Sequence, residues 1–146
     1  MKKTLLLIAA AILLTGLTAL ADSHRTIDYK QLPAAARTLI ADHFGDARVG
    51  YVETENSLFD REYKVLFTDG STIEFDKNGN WTEIDCKRGR VPQRLVPQAI
   101  RDVIDTRFDG QGVVAIERDR RGYEVELENG VDLEFDRRFR LVKADD

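Results

Sequence analysis

The residues able to do chemistry are few and badly placed for it. Outside the first 21 residues the chain has two histidines, His24 and His43, one cysteine, Cys86, and three serines, Ser23, Ser57 and Ser71. Nucleophilic catalysis needs a base held beside the nucleophile and oriented by a third group. His24 falls in a polar N-terminal stretch that reads as disordered, and His43 near the end of a helix on a solvated face. The serines fall in that tail, in a loop and in a turn, none of them at a sharp strand-to-helix elbow. The run Asp76-Lys77-Asn78-Gly79-Asn80 has the opening spacing of a calcium loop but lacks the later bidentate glutamate. Its second occurrence, Asp136-Arg137-Arg138-Phe139-Arg140, would repel a cation, so both read as turns. One cysteine and two distant histidines make no zinc pattern, and no glycine-rich loop opens a helix for a nucleotide. The expectation is no catalytic residue, no metal ligand and no cofactor.

Cys86 cannot close a disulfide within the chain. It shares strand parity with Ile84 and therefore reads as buried. Exposed, it would instead allow a disulfide-linked homodimer.

Met1-Lys2-Lys3, an apolar run from Leu5 to Leu14 and the small residues of Ala19-Leu20-Ala21 have the form of a secretory signal peptide cut after Ala21. The competing reading is an N-terminal membrane anchor, since Thr4 to Ala21 approaches the ~18 residues that can span a bilayer. Polar residues after Ala21 favour cleavage, and with it a periplasmic or secreted protein with no stable membrane span. Removing this leader takes the formal charge from −4 to −6, with 20 bases left against 26 acids. A net-acidic chain without a basic tail is unsuited to nucleic acid. It is suited to cationic surfaces.

What the remaining residues do is repeat. Leu32, Ala36, Leu39, Ile40 and Phe44 form one helical stripe, and Val96, Ile100, Val103, Ile104 and Phe108 form another sixty-four residues later. Pro33 and Pro97 sit in the first turns, and Gly45 and Gly110 follow the ends. Each helix is followed by alternating strands joined by a tight turn. Tyr63–Thr68 leads through Asp69-Gly70 to Ser71–Asp76, and Tyr123–Glu128 through Asn129-Gly130 to Val131–Asp136. Further strands are expected at Arg48–Thr54 and Val113–Arg118, and at Trp81–Cys86 and Arg140–Ala144. The fold class is therefore α+β, a tandem repeat of two units over 27–88 and 89–146. Each unit is one helix on a roughly four-stranded antiparallel sheet. Phe75 and Phe135 belong to the inner face.

The signal peptide and the duplicated unit, Leu32-Pro33 to Phe44 with Tyr63, Asp69-Gly70 and Glu74-Phe75-Asp76, then Val96-Pro97 to Phe108 with Tyr123, Asn129-Gly130 and Glu134-Phe135-Asp136, resemble the PepSY-like, beta-lactamase-inhibitor-protein-like proteins of the bacterial periplasm. The resemblance covers nearly all of the chain after the leader. It implies a tandem α+β protein without catalytic machinery and with a binding or inhibitory role. The inhibitors it resembles carry disulfides within their repeats, which a chain with one cysteine cannot form.

The sheet face turned away from the helices is where a partner would bind. Alternation sends Glu124, Glu126, Glu128, Asp132 and Glu134 outward in the second unit, and Lys64, Leu66, Thr68, Thr72 and Glu74 in the first. Clustered acids on adjoining strands repel one another, and they would select a basic protein partner. The plainer reading is a solvated face relieved by nearby arginines. Trp81 is either an aromatic anchor on this surface or a packing residue. Three functions compete: a protein-binding or inhibitory module, a self-associating envelope protein, and an enzyme with an unrecognised site.

Overall fold

The computed structural model describes residues 23–146. The leader and its cleavage site lie outside the described residues. Nine strands form one antiparallel sheet in strict sequence order. They are β1 Ser23–Ile27, β2 Val49–Asn56, β3 Arg61–Phe67, β4 Thr72–Phe75, β5 Trp81–Asp85, β6 Val113–Arg118, β7 Gly122–Leu127, β8 Asp132–Asp136 and β9 Leu141–Asp145. Helix α1, Ala34–His43, lies in the chain between β1 and β2, and α2, Gln98–Arg107, between β5 and β6. A short 3-10 turn precedes each helix, at Tyr29–Gln31 and Gln93–Leu95.

The helices form where their apolar stripes predict, and they end alike. Phe44 and Phe108 leave the helical conformation at almost the same angles, and their amides still donate to Ile40 and Ile104. The inner sheet face meets these stripes in one continuous core. Ala36, Val65, Phe75, Ile84, Ile100 and Leu133 are all fully buried within it. The register shifts also repeat, between Val49 and Tyr51 and between Val113 and Ala115, then opposite Glu74/Phe75 and opposite Glu134/Phe135. Each marks a local irregularity that bends a strand and lets the sheet coil over its helix.

One expectation needs correcting. The stretch around His24 is not a disordered tail: Ser23–Ile27 pairs with β2 along its whole length, and His24 Nε2 stands 3.6 Å from the Glu55 carboxylate. An edge strand is held mainly by backbone hydrogen bonds on one side, so its side chains need show little apolar alternation. The sheets of the two units, whose continuity the sequence leaves open, are one sheet. β5 pairs with β6 through Glu83 opposite Glu117, Ile84 opposite Ile116 and Asp85 opposite Ala115. The linker is stitched to β6 by the amides of Cys86 and Val91, which donate to Val114 and Val113. In consequence β5 stands to α2 as β1 stands to α1. Cys86 is buried, as its parity requires, and burial pushes its thiol up to about 11, with Asp85 and Asp69 adding to the effect.

Candidate partner-binding face

Pairing register converts the outward acids into a single line. Reading across the sheet from β2 to β9, successive partners are Glu53, Lys64, Glu74, Glu83, Glu117, Glu124, Glu134 and Lys143. Directly opposed side chains on neighbouring strands are close enough to interact strongly, so five consecutive glutamates stand in mutual repulsion between two lysines. A second line beside it runs Tyr51, Leu66, Thr72, Asp85, Ala115, Glu126, Asp132 and Asp145. It is apolar at one end and acidic at the other.

Charge compensation is strongest at the ends of the first line. Lys64 Nζ lies 2.8 Å from Glu74, a hydrogen bond that raises the lysine above its ordinary value. Lys143 lies 3.7 Å from Glu134 and also pairs with Asp145. Between them, Arg121 reaches only to 4.0 Å from Glu124. Glu83 and Glu117 form no ion pair among the described residues. Burial pushes the Glu83 carboxyl up, and Glu74 and Glu117 push it further. Glu117 is raised by burial and by Glu124 and Asp119. Glu62, lower on β3, is raised by burial and then by Glu74.

Of the residues expected on this face, Lys64, Leu66, Glu124, Glu126, Asp132 and Glu134 lie on these two lines. Glu128 does not. It sits just past β7, gripped by both nitrogens of a bidentate contact from Arg90 at 2.9 Å, with the Gly112 amide at 3.1 Å. That amide, followed by Arg90, holds the Glu128 carboxyl below the usual range. Trp81 is not an exposed anchor either. It is 6% exposed, opposite Phe75 on the inner face, and the Arg118 guanidinium caps its ring at 4.0 Å while donating to its carbonyl. Large apolar rings that can join a core seldom stay on a strand surface, and the stacked guanidinium covers the edge that remains. Glu83 and Glu117, at the centre of the line, were missed as site residues. Their outward parity was legible, since Ile84 and Ile116 point inward, but not the β5–β6 pairing that sets them face to face.

A family model described as "Putative beta-lactamase-inhibitor-like, PepSY-like" matches residues 61–143. The chain belongs to this PepSY-like family. Solved structures agree with that placement over nearly the whole chain. A Bacteroides vulgatus ATCC 8482 protein described as a "putative periplasmic protein" is 41% identical, with a TM-score of 0.83 over 86% of this chain and 99% of that one. A second protein of that organism, of unknown function, is 40% identical, with a TM-score of 0.79 over 85% and 100%. A Bacteroides thetaiotaomicron protein described as a "putative calcium-regulated periplasmic protein" is 39% identical, with a TM-score of 0.80 over 84% and 97%. No curated protein matches this chain.

The PepSY-like fold carries no catalytic arrangement in the described residues. Ser57 closes its own turn with Asp60, Ser71 is buried beneath the amide of Lys87, and no three His, Cys, Asp or Glu side chains converge to hold a metal ion. Within the Asp76 turn the carboxylate already accepts from the amides of Asn78 and Asn80 and from the Asn80 side chain. Among the described residues no helix is long and apolar enough to cross a membrane.

Proposed function

We propose that this PepSY-like protein is an exported, non-catalytic binding module that captures a basic protein in the periplasm through the acidic sheet face. The observation carrying this reading is the line from Glu74 through Glu83, Glu117 and Glu124 to Glu134, which crosses the junction of the two repeats. Its central carboxylates are partly desolvated and unpaired, an arrangement that costs the isolated protein stability. A cationic partner would relieve that cost on binding and would be steered by the same charge. Export rests on the leader with cleavage after Ala21, and on relatives described as periplasmic. The self-associating alternative through Cys86 is disfavoured by a thiol that is both buried and held protonated.

The test is capture from periplasmic extract with the wild-type protein and the Glu126→Lys/Glu134→Lys variant as baits, at low and moderate salt. The reading expects a basic protein held by the wild type, released by salt and lost in the double reversal. Equal capture by both baits would overturn it. Matched thermal melts of both baits check that the variant is folded, which is expected because both side chains point away from the core.

A further inference from the structure

Strict antiparallel order puts four turns at one rim of the sheet, over 57–60, 76–80, 119–121 and 137–140, with neighbours about 10 Å apart. Contacts join them in series. Lys77 Nζ reaches Asp60 at 3.7 Å, the charge of Arg118 acts on Asp76, and the Phe139 ring packs 5.4 Å from Tyr123. The leader also joins the sheet at this rim, since Ser23 opposes Asn56.

The first of these turns holds apolar side chains out to solvent. Phe59 is 90% exposed and Leu58 67%. The backbone beneath them is firmly bonded. The Ser57 amide and hydroxyl donate to the Asp60 carbonyl at 3.0 and 3.2 Å, and Arg61 donates to the Asn56 side chain at 2.6 Å. The second repeat has Arg120 and Arg121 in the corresponding turn, so the fold itself demands no apolar residue here.

The other turns present positive charge. Each acid within the four turns or at their edges is engaged: Asp60 with Lys77, Asp76 with the amides of its own turn, Asp119 with Arg121 and Asp136 with Arg140. Arg120, Arg137 and Arg138 are exposed and form no ion pair among the described residues. The glutamate line stands three residues back, which places Glu117 and Glu134 about 10 Å from Arg120 and Arg137. That exceeds the screening length of about 8 Å at physiological salt. Glu62, next to Arg61, is the one acid close behind the apolar turn without a basic partner among the described residues. At the opposite rim, the linker bases Lys87 and Arg90 are in ion pairs and only Arg88 is left over. The turns there, Asp69-Gly70 and Asn129-Gly130, carry no large apolar side chain.

We infer that this rim docks on an anionic phospholipid surface, with Leu58 and Phe59 entering the boundary between headgroups and acyl chains and Arg120, Arg137 and Arg138 on lipid phosphates. Lasting peripheral attachment takes two signals, an apolar insertion and a cluster of bases, and the rim supplies both. Guanidinium groups suit phosphate in particular. A partner with an apolar pocket would account for Phe59 but not for unpaired arginines on the neighbouring turns. A free polyanion would account for the arginines but not for Phe59. A chain still held by its leader has this rim nearest the bilayer. The inference is independent of the capture of a basic protein by the acidic face.

The experiment is flotation of the chain cut after Ala21 with vesicles of phosphatidylglycerol and phosphatidylethanolamine, and with vesicles of phosphatidylcholine alone. The expected result is salt-sensitive binding to the anionic vesicles. Affinity should be weaker by about ten-fold or more for phosphatidylcholine, for Arg137→Glu/Arg138→Glu and for Phe59→Ser. In Phe59→Trp the new indole should move to shorter emission wavelength with anionic vesicles, read against the constant signal of the buried Trp81. The substituted side chains are exposed, so every variant should keep the wild-type melt. No flotation with anionic vesicles would overturn the inference. Equal flotation with phosphatidylcholine would overturn the part assigned to the arginines, and binding without the emission shift the part assigned to Phe59.

Discussion

The two repeats of this PepSY-like protein share a helix of ten residues, the same helix exit and the same register shifts, yet they finish their last hairpin differently. In the first, the turn after β4 reaches the start of α1, and Gly79, at φ +84°, lies so close that a Cβ would stand 2.8 Å from Pro33 and 2.9 Å from the Ala36 amide. In the second, Phe139 occupies the matching position at φ +60° and packs its ring 5.4 Å from Tyr123. The backbone turn is thus conserved between repeats while its contact is exchanged, helix docking in one and ring packing in the other. Duplication preserved the grammar of the unit, and its surfaces were free to diverge.

The strongest way to break the comparison is to empty the shared core on one repeat's side at a time. Phe75→Ala and Phe135→Ala should each cost about 3–5 kcal/mol in urea denaturation, because both rings are buried on the inner face. The continuous sheet through Ile84 and Ile116 makes a further demand. Each variant should unfold in one transition, as a unit with a shared core does. A biphasic curve for either would mean that the repeats are separate folding units.

An intermediate effect is expected at the exchanged turn. Gly79→Ala must place a side chain in a strained left-handed conformation against the helix start, at a cost of about 1–3 kcal/mol. Phe139→Gly relieves such strain but loses a ring contact worth about 0.5–1.5 kcal/mol, leaving a net change near zero. Thermal melts of the pair would settle whether the turns are interchangeable. Similar losses at both positions would show that the helix contact of Gly79 contributes nothing.

How much of this was legible in the sequence depends on whether a feature is local. Helix stripes, the Asp69-Gly70 and Asn129-Gly130 turns and the inward parity of Phe75 and Phe135 are local signals, and the fold follows them closely. β1 was missed because an edge strand shows little alternation in its side chains; only its pairing with β2 reveals it. Trp81 reads in sequence as either core or surface because the register shift opposite Glu74/Phe75 disturbs the alternation that would give its direction. Three of the five glutamates of the acidic line are legible as outward residues, Glu74 in the first repeat and Glu124 and Glu134 in the second. Its continuation through Glu83 depends on which strand neighbours β5, a non-local fact carried by no short stretch of residues.

The smallest effect, at the seam where one repeat meets the other, is the most diagnostic. Glu83 belongs to the first repeat and Glu117 to the second, and both carboxyls are raised, chiefly by burial and then by neighbouring acids. A raised carboxyl binds its proton more tightly in the folded state, so stability falls as pH climbs from the ordinary value of 4.5 through the folded value. Asp119 and Asp136 act oppositely. Hydrogen bonds, from Arg121 and Arg140 respectively, hold them below their ordinary 3.8, and their contribution disappears as pH drops through the lowered values. Stability should therefore peak in the mildly acidic range. Glu83→Gln removes a charge from the middle of the line while keeping its shape. It should stabilise the protein at pH 7 by about 0.2–1 kcal/mol, the scale of a cross-strand charge pair. It should also flatten the decline between mildly acidic and neutral pH while leaving the acid limb untouched. An unchanged pH slope in Glu83→Gln would mean that solvent already screens the seam, and the line of glutamates would then lose its claim to be a strained surface awaiting a cation.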